Sequence, residues 1–288
     1  MLNKPPPLSI PIGKDPLVSI VTPVFNGAAY LDELINSVLR QDYPHIEHII
    51  IDDGSTDDGA TVTILQRYPH LRWWSSAHKG QFATLNEGLA AARGSVVSVI
   101  SADDKYVTPS AFSTVVRYWQ LHPDYGCVYG RTLSIDEKGN PLPFLPVMSA
   151  GPFSRLVIRH QQNIAHCSLF VAKVLLVEQN IWFDGSFQYI SDWDWIIRLS
   201  MAARFGYVDQ CLSHYRVHPA QTSQRLNREI YNREHRRIAL QYKNSPVVYF
   251  LLFWRRRLST ALGILRKQGP RAFGRAIVEW LNQTRGRG

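Results

Sequence analysis

The sequence predicts an α/β fold: a mostly parallel central sheet covered by helices, followed by a basic helical tail. Three observations carry that expectation. Short apolar runs alternate with stretches of helical periodicity from Val18 to about Tyr129, the pattern of βαβ units. Three of those runs end in polar tips, namely Pro23-Val24-Phe25-Asn26, Asp52-Asp53-Gly54-Ser55 and Ser101-Ala102-Asp103-Asp104. The charge is also unevenly placed. Residues 225–288 hold 15 Lys and Arg against 3 Glu, so the first 224 residues carry a net −3 within an overall +9.

The elements follow in order. Residues 1–16 are rich in proline and lack the apolar centre of a secretory signal, so they read as a flexible lead. Residues 18–22 form the first strand. Residues 29–40 form a helix, with Leu31, Leu34, Ile35, Val38 and Leu39 at helical spacing. A strand at 49–51 leads through a Gly-Ser turn to a helix over 57–68. A short strand at 71–75 precedes a helix over 81–93, which Gly94 ends. The next strand covers 96–100, Pro109 starts a helix periodic over 111–121, and 125–128 is a strand. Beyond Arg131 the regularity weakens. Residues 133–135 and the turn Glu137-Lys138-Gly139-Asn140 suggest a hairpin, and the proline-rich stretch to Pro152 a long loop. A helix over 190–204, strands at 206–208 and 211–217, and helical structure from Ser223 complete the reading. The expected domain is 17–222, with 223–288 as an amphipathic extension.

Several classes are excluded. The three cysteines are odd in number and widely spaced, with no CxxC pair, so neither a disulfide framework nor a cysteine zinc site is indicated. No apolar run reaches the ~20 residues that span a bilayer, which gives the expectation of a cytoplasmic chain, peripheral at most on the cytoplasmic face of a membrane. No GxGxxG follows the first strand and no GxxxxGK[ST] occurs, against dinucleotide and P-loop binding.

In an open α/β sheet, ligands lie at the carboxyl ends of the strands, so the three polar tips converge on one crevice. Two acidic pairs in one crevice need a cation or several donors to offset them, which points to a metal and a phosphorylated ligand. Asp52 and Asp53 can accept from a base N–H or a ribose hydroxyl; the plainer role is to turn the chain and cap the next helix.

The runs Val18-Ser-Ile-Val-Thr-Pro-Val-Phe-Asn26, Ile51-Asp-Asp-Gly-Ser-Thr-Asp57, Ser101-Ala-Asp-Asp104, Ser191-Asp-Trp-Asp194 and Tyr215-Arg-Val-His218 resemble family 2 glycosyltransferases over residues 17–222. The resemblance implies a GT-A fold, a nucleotide-diphosphate sugar donor, Mn²⁺ or Mg²⁺, and inversion at the anomeric carbon. It places Asp52 and Asp53 at the nucleoside with Pro23, Phe25 and Asn26, Asp103 near the ribose, and Asp104 on the metal. It makes His218 a metal ligand, Arg216 the partner of the diphosphate and Asp192 the general base that deprotonates the acceptor hydroxyl. Asp194 is the rival base, but two residues on a helix differ by about 200° in direction. Gln81, Asn86 and Arg93 lie on a helix that faces the nucleotide in relatives; of these Gln81 joins the nucleotide set. His166 falls in the acceptor region. Two positions depart from the family pattern, Ser101 and Ser191, each standing where many members carry an acid. The implied acceptor is a glycan or lipid-linked glycan in cell-surface polysaccharide synthesis. The alternatives are a sugar nucleotidyltransferase, which wants a Gly-rich loop where this chain has Pro23-Val24-Phe25-Asn26, and a non-catalytic nucleotide-sugar sensor, which has no need of Asp192.

In the tail, an apolar–aromatic run over 247–254 meets Arg255-Arg256-Arg257, and Leu258, Ala261, Leu262 and Leu265 recur at helical spacing. Aromatics beside clustered arginine suit an interfacial helix on an anionic membrane surface. Nucleic acid is not an expected partner, because no recognition motif accompanies the charge.

Overall fold

The computed structural model describes residues 12–142, 153–252 and 254. The expectations for most of the N-terminal lead, the middle of the proline-rich loop and the tail beyond Trp254 fall outside those residues.

The chain runs β1 (Val18–Val24), α1 (Ala28–Leu39), β2 (Ile46–Asp52), α2 (Ala60–Gln66), β3 (Arg72–Ser75), α3 (Gln81–Ala91), β4 (Val96–Val99), β5 (Lys105–Tyr106) and α4 (Ala111–Leu121). It continues through β6 (Cys127–Ile135), α5 (Arg155–His160), β7 (Leu169–Ala172), α6 (Val174–Val177), α7 (Ser191–Ala202), β8 (Phe205–Arg216) and α8 (Arg228–Gln241). The eight strands of the described residues join one sheet in the order β3-β2-β1-β4-β7-β6-β8-β5. The first four pair in parallel, as strands linked by covering helices must. β7 then runs antiparallel to both β4 and β6, and β6 returns to parallel pairing with β8.

Apolar side chains line both faces of the sheet. One cluster sets Val21, Ile49 and Ile51 against Leu85 and Leu89 of α3 and Trp193, Trp195 and Leu199 of α7. The other sets Ile20, Ile50 and Val128 against Leu31 and Ile35 of α1 and Phe112 and Trp119 of α4. Gly88 lets α3 approach closely, since a Cβ there would lie 2.4 Å from Val21 and 2.6 Å from Ile51.

Three segments differ from the sequence reading. The strands expected at 125–128 and 133–135 are one strand, β6, and those expected at 206–208 and 211–217 are one strand, β8. β-Bulges at Gly130–Thr132 keep β6 and β8 paired while breaking their alternation, which in the sequence looks like a strand boundary. β5 and β7 are too short to show a period. Third, α8 belongs to the body and not to a separate extension. Ile238 and Tyr242 enter the core, and Glu234 accepts the backbone N–H groups of Gln188, Tyr189 and Ile190. Arg237 pairs with Asp184 at 2.7 Å.

His48 of β2 is buried, with Nε2 3.3 Å from Thr22 Oγ1. Burial, with a smaller push from His70, holds its pKa down at about 3 against an ordinary 6.5. A folded-state pKa below the unfolded one means that this imidazole supports the fold fully above pH 6.5 and opposes it progressively down to pH 3. The limiting slope is about 1.4 kcal/mol per pH unit. His48→Leu should therefore narrow the difference in urea midpoint between neutral and mildly acidic buffer. An unchanged difference would show that other groups set the acid limb.

Candidate active site

Strand register builds the site. Val24 pairs with Asp52 and Val21 with Val99, so the tips of β1, β2 and β4 end at one edge of the sheet. The tip of β1 is laced to that of β2. Asn26, at φ 52°, takes the Thr56 N–H on its side-chain oxygen at 2.7 Å and donates its own N–H to Ser55 Oγ at 2.9 Å. Next to it, a Cβ on Gly27 would stand 3.3 Å from Cβ of Ala102, so the β1 and β4 loops touch. Phe25 is 46% exposed at this mouth. Its ring lies 4.8 Å from that of His78, while Pro23 is half-buried below it.

The two acids after β2 divide in role. Asp52 Oδ1 accepts the Ser55 N–H at 3.0 Å and closes the turn; Gly54, at φ +75°, supplies the left-handed residue. Asp53 is buried, and its carboxylate accepts from the N–H groups of Lys79 and Gly80, both at 3.0 Å, and from Thr84 Oγ1 at 2.8 Å. His78 Nδ1 lies 2.9 Å from the same carboxylate. Asp53 thereby anchors residues 78–80 and the start of α3, where Gln81 stands exposed. Asn86, farther along, brackets the backbone of Phe183 with two hydrogen bonds of 2.9 Å. Arg93 is exposed and donates its backbone N–H to Glu47.

Beyond β4 the chain turns through 101–104 into β5, which pairs with β8. β8 carries His218 just past its end, and His218 Nε2 lies 3.0 Å from Asp103 Oδ2. Asp103, not Asp104, is thus the acid that faces the histidine. Asp104 is 1% exposed and takes the Arg216 backbone N–H on Oδ1 at 2.9 Å. Among the described residues its Oδ2 has no hydrogen-bond partner. Burial, reinforced by Asp103, pushes its carboxyl well above the usual carboxylate range.

Arg216 lies inside the fold. It is 1% exposed, and its Nε donates to Asp103 O at 2.9 Å. Nη1 reaches the carbonyls of Asp136 and Glu137, and Nη2 pairs with Glu33. The guanidinium also lies 4.5 Å above the Tyr30 ring. Each nitrogen is engaged inside the protein, with four of the five N–H groups paired among the described residues, so the group is a tie between loops. Glu33 completes the tie: burial raises its pKa, but Lys105 and Arg216 more than offset that, and the net shift is downward.

α7 presents Asp192 and hides Asp194. Asp194 is 1% exposed, held by Tyr242 Oη at 2.6 Å and Arg198 Nε at 2.7 Å. The Asp192 side chain is 14% exposed. Its Oδ2 receives Gln162 Nε2 at 2.5 Å and lies 3.2 Å from His166 Nδ1, while Oδ1 receives the Trp193 N–H at 2.9 Å. Burial disfavours the His166 cation, yet Asp192, then Asp104 and Asp103, outweigh it and raise the pKa. Asp192 is thus the acid in direct contact with His166, and Asp104 and Asp103 favour its cation from farther off.

Residues 19–173 match the family model described as Glycosyl transferase family 2. The chain belongs to that family. An uncharacterized glycosyltransferase of Rickettsia conorii is 31% identical over 216 residues, 73% of this chain and 36% of that protein. A chondroitin synthase of Escherichia coli is 28% identical over 215 residues, 72% of this chain and 30% of its own. The chain spans about a third of the length of these curated relatives. Among solved structures, TarS 1-349 of S. aureus in complex with UDP superposes with a TM-score of 0.60 at 20% identity, covering 80% of this chain and 66% of TarS 1-349. The mannosyltransferase PcManGT of Pyrobaculum calidifontis, in complex with GDP-Man and Mn²⁺, does so at 0.59 and 18% identity, covering 91% and 73%. The architecture shared with them is the GT-A fold.

Within this family 2 chain, His78 and Gln162 are site residues that the sequence reading passed over. His78 has no motif around it, and its place follows from Asp53 at the tip of the neighbouring strand. Gln162 lies in a loop whose pattern is unreadable; its proximity to Asp192 is made by the packing of α5 against α7.

Replacing Arg216 by Ala leaves three carbonyls and Glu33 without their partner. A loss of about 2–4 kcal/mol in urea denaturation is expected, against less than about 1 kcal/mol for Asp192→Asn. A neutral Arg216→Ala would return the side chain to the ligand.

Proposed function

We propose that the chain is a metal-dependent, inverting glycosyltransferase that moves a sugar from a nucleotide-diphosphate donor to a hydroxyl of a glycan or lipid-linked glycan. The observation that carries this reading is the set of contacts at the edge where β1, β2 and β4 end: His218 meets Asp103, and His166 joins Asp192 to Ser101 of the same loop. Membership of the family and the GT-A fold support it, as do the nucleotides of the superposed complexes.

The donor's nucleoside lies along the β1 and β2 tips, with Phe25 and His78 as the exposed rings for the base and Asp52, Asp53, Pro23, Asn26 and Gln81 shaping the pocket. Among the described residues no group of three or more His, Cys, Asp or Glu is set to hold a metal. A carboxylate and an imidazole facing each other do fit a cation that takes the rest of its shell from phosphates and water. Asp103 and His218 would hold Mn²⁺ or Mg²⁺, with Asp104 packed beneath. The ion, when bound, supplies positive charge against the leaving diphosphate. Asp192 takes the proton of the acceptor hydroxyl as that oxygen bonds to the anomeric carbon from the face opposite the diphosphate. The bond from that carbon to the diphosphate oxygen breaks with its electron pair on the nucleoside diphosphate. Acid at Ser101 is dispensable in this scheme, since Asp103 and His218 supply the protein donors.

The basic tail is proposed to rest on anionic lipid. Val247, Phe250 and Leu251 are exposed on helical turns at 246–252 that lead into Arg255-Arg256-Arg257. Among the described residues no helix is long and apolar enough to cross a membrane.

A thermal-shift screen of UDP-, GDP-, dTDP- and CMP-linked sugars with Mn²⁺ tests the donor. One should raise the melting temperature, and chelation or Asp103→Asn should remove most of that rise; silence across the panel would defeat the assignment. Asp192→Asn should cut turnover by about 10³-fold or more while the donor still binds. Sedimentation with phosphatidylglycerol vesicles should retain the full chain at low salt and release it as salt rises. Equal binding to phosphatidylcholine vesicles would refute the charge-based account.

A further inference from the structure

Ser101, His166 and Asp192 lie far apart in the chain and form one continuous hydrogen-bonded series. His166 opens a short 3₁₀ turn, His166–Ser168, that leads into β7. Its Nε2 stands 3.3 Å from Ser101 Oγ and its Nδ1 3.2 Å from Asp192 Oδ2. The ring is gripped at both ends. With Nδ1–H donating to the carboxylate, Nε2 accepts from the serine hydroxyl; with both nitrogens protonated, the serine oxygen becomes the acceptor. Either state holds Asp192 by the same atom.

A carboxylate offers about four acceptor sites, two on each oxygen. On Asp192, Gln162 Nε2 and His166 Nδ1 both fall on Oδ2, and the Trp193 N–H takes one site on Oδ1. Among the described residues, the remaining site is on Oδ1. We propose that His166 is a positioning residue: with Gln162 it occupies Oδ2, so that Oδ1 is the atom that receives the acceptor proton, and through Ser101 it fastens this base to the loop bearing Asp103 and Asp104. The inference rests on Asp192 being the base, as proposed above, and adds which oxygen acts and what aims it. Serine suits position 101 because it both donates to and accepts from the imidazole, whereas an ionised acid only accepts.

Two readouts on the full chain test it. The first needs no donor. In ¹⁵N-histidine-labelled protein, the His166 ring nitrogens are expected to shift in both Asp192→Asn and Ser101→Ala, the Nδ1 signal mainly in the first and the Nε2 signal mainly in the second. Nitrogens unmoved by either substitution would overturn the series. The second is turnover with the UDP-, GDP-, dTDP- and CMP-linked sugars, read as nucleoside diphosphate or monophosphate released to water or to acceptor. His166→Ala should lower kcat by about 10–100-fold with the donor KM within about 3-fold. His166→Asn, which returns an N–H close to the place of Nδ1, should recover much of that loss, whereas His166→Leu should not. If Asp192→Asn is inactive while His166→Ala keeps kcat within about 2-fold, the positioning role is wrong and the base stands. If Asp192→Asn retains turnover, or the wild-type chain releases nothing from any donor, the parent reading fails first.

Discussion

The buried guanidinium of Arg216 is the constraint on which the acidic edge of the sheet depends. It meets Glu33 of α1, the carbonyl of Asp103 after β4, and the carbonyls of Asp136 and Glu137 after β6. Three segments remote in the chain are held to the end of β8 by one planar cation with donors in a rigid fork, a task a lysine could not share among as many acceptors. The Arg216 backbone N–H at the same time holds Asp104. Two residues on, the chain delivers His218 to Asp103. The end of β8 therefore acts as a clasp that sets where both acids point.

A second clasp orders Asp192, the proposed base. Glu234 of α8 takes three successive backbone N–H groups immediately before α7, and Tyr242 takes the buried oxygen of Asp194. α7 is thereby fixed in rotation, which turns Asp194 inward and Asp192 toward the cleft. α8 consequently contributes to the geometry of the site itself, although it lies past residue 222 in the basic part of the chain.

Electrostatics explain why His166 lies between these clasps. Asp192 lies 3.2 Å from this imidazole, and its pull, with weaker ones from Asp104 and Asp103, overcomes the cost of burial and raises the His166 pKa. In the proposed reaction the donor's phosphates add negative charge at the same edge, which favours a divalent cation at the facing Asp103–His218 pair.

Local order was legible in the residues. The alternation of apolar runs and helical spacing from Val18 to Tyr129 located β1 to β4 and α1 to α4 within a few residues, because each element there has a single period. The polar tips announced a crevice, since parallel strands place their ends together whatever the details. The bulged pairing of β6 with β8 broke that legibility, as did the length of β5 and β7. Motif order named Asp192, Asp103, Asp104 and His218 as residues of interest but was silent on their orientation. Tertiary packing alone decided that Asp103 meets His218 while Asp104 is buried, that Arg216 is taken up by carbonyls, and that Ser101 reaches Asp192 through His166. The physical reason is that a side chain's chemistry is local and readable, whereas which of its atoms remain free depends on partners a hundred residues away.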